Sequence, residues 1–379
     1  MKFCDARKEF PAAASFVYAD VAARNPLSNR VRRAVEQYLD DRQRSLDNKH
    51  LWFDKVEQVR IKVARLLRAE PDQIAFMKNT SHGISSVISA LCLKHGDNVV
   101  ITPEFEHPNN VYGWLPLRRE GVDVRTLALK GCAVTLDEIK RACDKNTRAI
   151  SVASVSFATG GRVDLDLIAE FAAERGIYLV VDGVQSLGVL DMDVQRTRID
   201  AVAAATSKSL LGLYGLGVLY CRDAEKFHPT HLSRFGIDLG DEQEYVQGDL
   251  EYSLARGARR FEMGNYNYLA VHALDAALDH ILEIGTEQIE KHVLTLSGTL
   301  TKGLRELGFD LVSSCEPSAL SHVVVFSPPA GRPGVPEVSE LLNSNNIRHT
   351  IRRFGLRVSF HLYNNMSDVE RILDVLKQV

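Results

Sequence analysis

Two charged residues end apolar runs of the sequence and can do chemistry together. Asp182 closes the run Leu179-Val180-Val181, and Lys208 follows the run Ala203-Ala204-Ala205-Thr206-Ser207. A lysine amine that forms a Schiff base and a carboxylate that keeps a pyridine nitrogen protonated are what pyridoxal phosphate requires. Taken singly, a lysine is usually a surface residue and an aspartate after a strand is usually a cap. At the end of an apolar strand a charge is expensive unless it is paired or functional, so the pair predicts a pyridoxal-phosphate site.

A parallel sheet is the element that can bring these residues together. Strand-like runs alternate with amphipathic helical stretches, which predicts a mainly parallel sheet flanked by helices, with ligands at the strand ends. The runs lie at 74–77, 98–102, 122–129, 149–155, 178–181, 201–205 and 218–220. The fold class is therefore α/β.

The pattern changes after about residue 254. Residues 268–307 predict one or two long helices, and the tail alternates strand candidates at 322–326 and 356–360 with helices at 335–343 and 366–376. We expect a large cofactor-binding domain over residues 16–254 and a smaller α+β domain over residues 255–379. Residues 1–15 are expected to join the smaller domain.

The composition is that of an ordinary globular protein. The chain has 379 residues, of which 45% are hydrophobic and 25% charged, with a formal net charge of −3. Nothing in this balance favours a nucleic acid or a membrane as a partner. The N-terminus lacks a long apolar segment, so we expect no signal peptide and a cytoplasmic location. No metal site or disulfide framework is predicted, because paired spacing is absent from the six cysteines at positions 4, 92, 132, 143, 221 and 315.

Further residues can complete a cofactor site, each with an ordinary alternative. Thr80 and Ser81 precede a helix, where they can bind phosphate or cap the helix. His107 can lie flat on a pyridine ring and move a proton, or be a hydrogen-bonded loop residue. Gln185 lies three residues after Asp182, where it can donate to the cofactor's phenolic oxygen or be an exposed amide.

An arginine near the C-terminus can bind the carboxylate of an amino-acid substrate. Arg357 stands at the start of a predicted strand, and its planar guanidinium matches a carboxylate in a bidentate pair. Arg352 and Arg353 compete for this role, and spacing alone does not choose among the three.

These segments together resemble the class V aminotransferase family, which includes cysteine desulfurases, selenocysteine lyases, isopenicillin N epimerase and kynureninase-like enzymes. The resemblance covers nearly the whole chain and implies the pyridoxal-phosphate-dependent transferase fold type I. Its landmarks occur in order at residues 16–20, 79–83, 106–110, 182–185, 207–208, 260–265 and 357–364.

The resemblance also implies roles for the residues around the cofactor ring. Lys208 is similar to the family's Schiff-base lysine, and Asp182 to the partner of the pyridine nitrogen. Gln185 is similar to the phenolate contact and His107 to the imidazole that stacks on the ring.

The phosphate and substrate groups follow from the same resemblance. Thr80, Ser81 and Ser207 would hold the phosphate. Asn265 would reach the phosphate of a neighbouring subunit, which implies a homodimer with shared active sites. Arg357 resembles the arginine that binds the substrate carboxylate, which decides between it and its two neighbours.

The chain departs from the family at several of these positions. Ser207 stands where His is common, and Ala205 stands where a phosphate-contacting Ser is usual. Residues 156–160 are nearer to the epimerase and kynureninase branch than to the desulfurases. A desulfurase needs a nucleophilic cysteine on a mobile loop, yet residues 343–357 contain none and Cys315 lies far upstream. The sequence therefore argues against transfer of sulfur to a persulfide cysteine.

We expect an enzyme that uses the Lys208 Schiff base and a quinonoid carbanion to act on an amino acid. A C–S lyase acting on a cysteine-derived substrate is the first hypothesis, and an aminotransferase or an isopenicillin N epimerase-like racemase is the alternative. A non-catalytic binding module is a hypothesis of a different class. A nicotinamide-dependent enzyme is disfavoured because the chain lacks a Gly-x-Gly-x-x-Gly turn after an early strand.

Overall fold

The computed structural model of the chain describes residues 2–46, 48–128, 130–238, 251–314 and 316–379. Cys315 lies outside this range, as do residues 239–250 of the expected large domain. The strands of the described part are β1 (Val17–Tyr18), β2 (Ile74–Met77), β3 (Asn98–Ile101), β4 (Asp123–Thr126), β5 (Thr147–Ala153), β6 (Tyr178–Asp182), β7 (Ala201–Ala205), β8 (Gly217–Cys221), β9 (Asp310–Leu311), β10 (Val323–Ser327), β11 (Ile347–Arg348), β12 (Thr350–Arg352) and β13 (Gly355–Ser359).

Helices surround these strands. The α-helices of the described part are α1 (Phe3–Lys8), α2 (Ala12–Ser15), α3 (Asn29–Gln43), α4 (Lys49–Leu67), α5 (Thr80–Ala90), α6 (Pro108–Val111), α7 (Leu136–Ala142), α8 (Leu165–Glu174), α9 (Val194–Thr197), α10 (Tyr268–Ile284), α11 (Thr286–Glu306), α12 (Val335–Ser344) and α13 (Met366–Leu376). The long helical stretch after residue 268 is thus two helices. The helices α10 and α11 separate at Gly285, whose φ of +91° is a conformation that glycine adopts readily and other residues rarely adopt.

The central sheet has seven strands in the order β2-β8-β7-β6-β5-β3-β4. Strand β8 runs antiparallel to its neighbours β2 and β7, and the remaining pairs are parallel. Strands β2, β3 and β8 are buried along their whole length, and β5, β6 and β7 are buried at all but one residue each, as expected for a sheet covered by helices on both faces. The predicted α/β fold with a mainly parallel sheet is confirmed, and the seven predicted runs are the seven strands. Leu129, at the end of one run, lies outside the described residues.

Glycines let the elements of this sheet approach one another where the polar strand ends lie. A Cβ on Gly83 of α5 would lie 2.9 Å from the Cβ of Ala203, so α5 packs closely on the alanine-rich β7. A Cβ on Gly217 would lie 2.9 Å from the Cα of Asn79, so β8 passes directly beneath the start of α5. The first turn of α5 is therefore held close to the loop that follows β7.

A second, four-stranded antiparallel sheet in the order β12-β13-β10-β9 lies in the C-terminal part. Its strands β10 and β13 lie at the predicted 322–326 and 356–360, while β9 and β12 were not predicted. The N-terminal segment packs on this part, because β1 pairs with β11 and Arg7 forms a 2.7 Å ion pair with Asp368. Asp20 bridges to Ser359 through the backbone. The bounds 16–254 and 255–379 remain a proposal for the division into domains.

Among the described residues, no helix combines the length and the apolar character that crossing a membrane requires. The same residues contain no group of three His, Cys, Asp or Glu side chains arranged to hold a metal ion.

Candidate active site

Asp182 and Lys208 lie at the same edge of the large sheet. Asp182 is the last residue of β6, and its parallel neighbour β7 ends three residues before Lys208. Asp182 is buried, and the backbone N–H of Val184 donates to its Oδ1 at 2.9 Å. The structure thus brings together the two residues on which the cofactor prediction depends.

Burial shifts both of these groups away from their ordinary protonation. It raises the pKa of Asp182 to about 6, against the Val184 N–H and the charge of Lys208, which lower it. It lowers the pKa of Lys208 to about 8, where Asp182 raises it and the charges of Arg357 and Arg352 lower it further. The amine therefore loses its proton more readily than a surface lysine does, which suits a nucleophile.

The N-terminus of α5 has the unpaired backbone N–H groups that an anion can bind. Asn79 caps the helix by accepting a 2.9 Å hydrogen bond from the His82 N–H. Thr80 and Ser81 are the first two helical residues, so their N–H groups have no partner within the helix. Since the eleven-residue helix adds its dipole, this end favours a phosphate. The alternative that Thr80 or Ser81 is the cap is wrong, and their binding of phosphate remains a prediction.

The loop after β7 holds Lys208 in a strained but well-connected turn. The N–H of Leu211 donates to the carbonyl of Lys208 at 2.9 Å, and the N–H of Gly212 donates to that of Thr206 at 2.8 Å. Leu211 adopts the left-handed conformation with φ +57°, which a side chain disfavours. Ser207 is buried in this turn. Strain of this kind collects at functional sites because the surrounding contacts must maintain it.

Gln185 is buried at 1% exposure, so the alternative of an exposed amide is wrong. Its Nε2 donates to the carbonyl of Ala22 at 3.0 Å. Its Oε1 is buried and has no hydrogen-bond partner among the described residues. The hydrogen bond from Nε2 fixes this buried amide and leaves its Oε1 available to a ligand.

His107 is half-buried and caps the short helix α6. Its Nδ1 accepts a 3.3 Å hydrogen bond from the Asn109 N–H, and its ring meets that of Phe157 edge-on at 5.2 Å. Burial lowers its pKa, and the nearby charges of Lys208, Arg352 and Arg357 add to this. The imidazole is thus neutral near pH 7, and it lies close enough to Lys208 for the charge of that residue to affect its pKa.

Glu106 is a buried residue that the sequence interpretation missed. It accepts hydrogen bonds from Thr102 Oγ1 at 2.8 Å, from Asn110 Nδ2 at 2.7 Å and from the Ala153 N–H. These donors belong to the ends of β3 and β5 and to α6, so the carboxylate ties the two strand ends to the segment that carries His107. Its position in the sequence, between the end of β3 and His107, could have indicated that Glu106 belongs to the site.

Burial and, after it, the charge of Asp182 raise the pKa of Glu106 to about 8. The three donors act in the opposite direction. Because this carboxyl group feels the charge of Asp182, it belongs to the electrostatic environment of the site as well as to its framework.

Removing the Glu106 side chain should destabilise the fold and disturb the His107 segment. E106A leaves three buried donors without their acceptor, which costs about 3 kcal/mol or more of unfolding free energy. Urea unfolding measures this, with E120A as the control because Glu120 is exposed. Equal stability of E106A and E120A would contradict the bracing role.

The three competing arginines are separated by the structure. Arg357 is 1% exposed, and its Nη1 donates to the carbonyl of Phe157 at 3.1 Å. Burial lowers its pKa to about 10, and the charge of Arg352 adds to this. Arg353 is exposed and lies over the ring of Phe354 at 5.2 Å. Arg357 and Arg352 therefore face the site, while Arg353 does not.

Asn265 does not lie with the residues around Lys208. It is exposed in the turn after Gly264, and it lines a cavity together with Asn79 and His82 on the outer side of the α5 N-terminus. Its predicted contact with a partner's phosphate remains a prediction.

Asp20 is a second residue that the sequence interpretation did not assign. Its Oδ1 lies 3.7 Å from Arg357 Nη2 and accepts a hydrogen bond from the hydroxyl of Thr350. Burial raises its pKa, while Thr350, Arg357 and Arg352 lower it. Asp20 is the last residue of the family segment 16–20, and that position could have indicated a role for it.

Comparison with known proteins identifies relatives of this arrangement. The family model described as aminotransferase class-V matches residues 17–372. A probable cysteine desulfurase of Methanothermobacter thermautotrophicus is 32% identical over 308 residues, which cover 79% of this chain and 75% of that protein.

Solved structures share the whole architecture. The apo structure of a cysteine desulfurase from Thermococcus onnurineus NA1 superimposes with a TM-score of 0.86 at 27% identity, covering 99% of this chain and 97% of the other. A cystine C–S lyase in complex with its reaction product cysteine persulfide has a TM-score of 0.85, covering 97% and 99% of the two chains. At 21% identity the second likeness shows the fold alone.

Proposed function

Because the chain belongs to the aminotransferase class-V family of pyridoxal-phosphate-dependent enzymes, we propose that it cleaves the C–S bond of a cysteine-derived amino acid. In this proposal the sulfur leaves as a thiol and does not pass to a cysteine of the protein. Family membership also means that the alternative of a non-catalytic module is not retained.

The residues present fit the cofactor. The buried carboxylate of Asp182 suits the pyridine nitrogen, the amine of Lys208 suits the aldehyde, and the free N–H groups at the start of α5 suit the phosphate. The unpartnered Oε1 of Gln185 is a polar atom at the side of the same site. When bound, pyridoxal phosphate supplies an electron sink for bonds that break at the α-carbon of the substrate.

The chain's own groups then have distinct tasks. Arg357 binds the α-carboxylate and orients the α-carbon. With its amine free, Lys208 removes the α-proton, for which its lowered pKa is suited. Asp182 would hold the pyridine nitrogen of the bound cofactor in its protonated form. The protonated amine of Lys208 then supplies the proton to the departing sulfur, because His107 is neutral near pH 7 and is too weak an acid for this step.

The positions and burial of the cysteines favour a lyase reaction over transfer of sulfur to a protein persulfide. The segment 343–357, which includes β11 and β12 next to Arg357, contains none. Cys221 is buried, and burial raises the pKa of its thiol, which disfavours the thiolate. Cys4 and Cys92 are exposed, and Cys132 is half-buried beside residues 159–161. Cys143 is also half-buried, and burial raises the pKa of its thiol. The position of these cysteines in the sequence, outside the segment 343–357 beside Arg357, supports a lyase over persulfide transfer.

Products distinguish the proposal from its alternatives. The cofactor-loaded enzyme should convert a cysteine thioether into pyruvate, ammonia and a thiol, as measured by mass spectrometry. The double variant C132A/C315A should do so at the wild-type rate, because no cysteine takes part. A 2-oxo acid that keeps its side chain would establish an aminotransferase, and a D-isomer would establish an epimerase. A rate that depends on either cysteine would return the enzyme to the desulfurases.

The proposal includes a cytoplasmic homodimer. The turn with Asn265 is exposed beside the α5 N-terminus, and apolar side chains such as Tyr214 and Met263 are exposed close by, at 66% and 43%. A second subunit that covers this face would bury them and complete the phosphate site. The cytoplasmic location is in keeping with the cysteines of the described part, which are all free.

A further inference from the structure

Two arginines share one face of the C-terminal sheet. Strands β12 and β13 are antiparallel, with Thr350 opposite Arg357 and Arg352 opposite Gly355. Because alternate residues of a strand point to the same side, Thr350, Arg352 and Arg357 lie on one face of the pair. Since the residue opposite Arg352 is a glycine, no cross-strand side chain covers it.

Several guanidinium N–H groups on this face lack acceptors. Arg357 uses Nη1 on the carbonyl of Phe157, but its Nε and Nη2 are buried and have no hydrogen-bond partner among the described residues. The Nε of Arg352 is buried in the same state. The 3.7 Å from Arg357 Nη2 to Asp20 Oδ1 is too long for a hydrogen bond. We expect a ligand to supply the acceptors for these buried donors, because a buried donor without a partner costs free energy.

The charges around this face do not balance. Asp20 is the described carboxylate whose charge acts on Arg357, and it also feels the charge of Arg352. The two guanidinium groups therefore share one carboxylate, and their charges lower the pKa of Lys208. An α-carboxylate on Arg357 leaves the buried Nε of Arg352 without an acceptor, which a second anion would supply.

We propose that Arg352 binds an acid group on the side chain of the substrate, so that the enzyme prefers cysteine derivatives with an anionic group beyond the sulfur. This inference rests on the proposed C–S lyase function and names its substrate class. Arg357 takes the α-carboxylate, and Arg352, on the same face, takes the distal acid. Arg352 is thus a specificity-determining residue, and the departing thiol carries the second negative charge.

The reaction on such a substrate balances without an oxidant. S-carboxymethyl-L-cysteine and one water give mercaptoacetate, pyruvate and ammonia. The Cβ–S bond breaks with its electron pair leaving on sulfur, the α-proton is removed, and the sulfur gains a proton. Water then replaces nitrogen at the α-carbon, which releases ammonia and completes the keto acid.

A pair of substrates of nearly equal shape tests the proposal. S-carboxymethyl-L-cysteine carries the distal acid, and S-carbamoylmethyl-L-cysteine replaces it by a neutral amide. Wild-type enzyme should show a kcat/KM at least about tenfold higher for the acid, as expected for one charge-assisted hydrogen-bonded pair. R352Q should bring the ratio of the two kcat/KM values close to one, whatever change it makes to their absolute size through the pKa of Lys208. The control R353Q removes an exposed neighbouring charge and should keep the wild-type ratio.

A binding measurement separates this inference from the proposed function. Each amino acid is titrated into the cofactor-loaded enzyme, and the change of cofactor absorbance gives its Kd. If neither compound yields pyruvate but the acid binds about tenfold tighter in an Arg352-dependent way, the lyase function fails and the distal-acid site stands. If both yield pyruvate with equal kcat/KM, the function stands and the inference is overturned. A ratio that R353Q abolishes and R352Q does not would also overturn it.

Discussion

K208A is expected to lose turnover of every amino acid by about 10³-fold or more. In the proposed function the amine of Lys208 both holds the cofactor and moves the α-proton, so the loss applies equally to elimination, transamination and epimerisation. Its position after β7, beside the carboxylate of Asp182, leaves the described part of the site no second amine with that environment. Initial rates on a panel of L-amino acids measure the effect, and the yellow absorbance of the lysine-bound cofactor should disappear.

Added amine distinguishes a lost chemical group from a damaged fold. Methylamine is small enough to enter the space that the lysine side chain leaves, and it should restore part of the turnover of K208A in proportion to its unprotonated fraction. Thermal unfolding of K208A should match that of the wild type or exceed it, because the variant removes a buried charge. Turnover within tenfold of the wild type would place the essential amine elsewhere.

The sheet and its ligand end could be predicted from the sequence because their signals are local. An apolar run that ends in Asp182 or just before Lys208 combines strand periodicity with an unexplained charge, and both residues are where this predicts. The same holds for the α5 start at Thr80, where a polar turn separates a strand from a helix. The antiparallel direction of β8 had no such signal, because a strand's direction depends on its connections.

The substrate side of the site depends on contacts between distant parts of the chain. Arg352 and Arg357 share a face because of the register between β12 and β13, and no spacing rule gives that register. Asp20 reaches Arg357 because the N-terminal segment adds β1 beside β11, more than 300 residues away in sequence. One of the three donors to Glu106, the N–H of Ala153, likewise lies far away in sequence. Long-range pairing of this kind is invisible to a local pattern, which is why Asp20 and the shared face of Arg352 and Arg357 were not predicted.

Replacing Asp182 by asparagine should reduce activity and stabilise the apoprotein at the same time. D182N keeps the shape and still accepts the Val184 N–H, but it can no longer hold the pyridine nitrogen in its protonated form. Turnover should fall by about 10²-fold or more, as when a preorganised electrostatic partner is removed elsewhere. The matched control is D200N, which alters an aspartate on the opposite end of the β6–β7 pair that accepts the Leu179 N–H at 2.7 Å. D200N should keep wild-type turnover.

The stability effect follows from the sign of the Asp182 shift. Burial raises its pKa from an ordinary 3.8 to about 6, so the folded apoprotein binds this proton more tightly than the unfolded chain does. The wild type therefore loses stability as the pH rises from about 4 through about 6, by on the order of 3 kcal/mol. D182N lacks this loss, so its unfolding free energy should equal that of the wild type near pH 4 and exceed it above pH 6. Urea unfolding of both apoproteins at pH 5 and pH 8 measures the difference. A D182N apoprotein that is less stable than the wild type at pH 8 would show that Asp182 contributes to the fold, and that its charge is not held there for the cofactor.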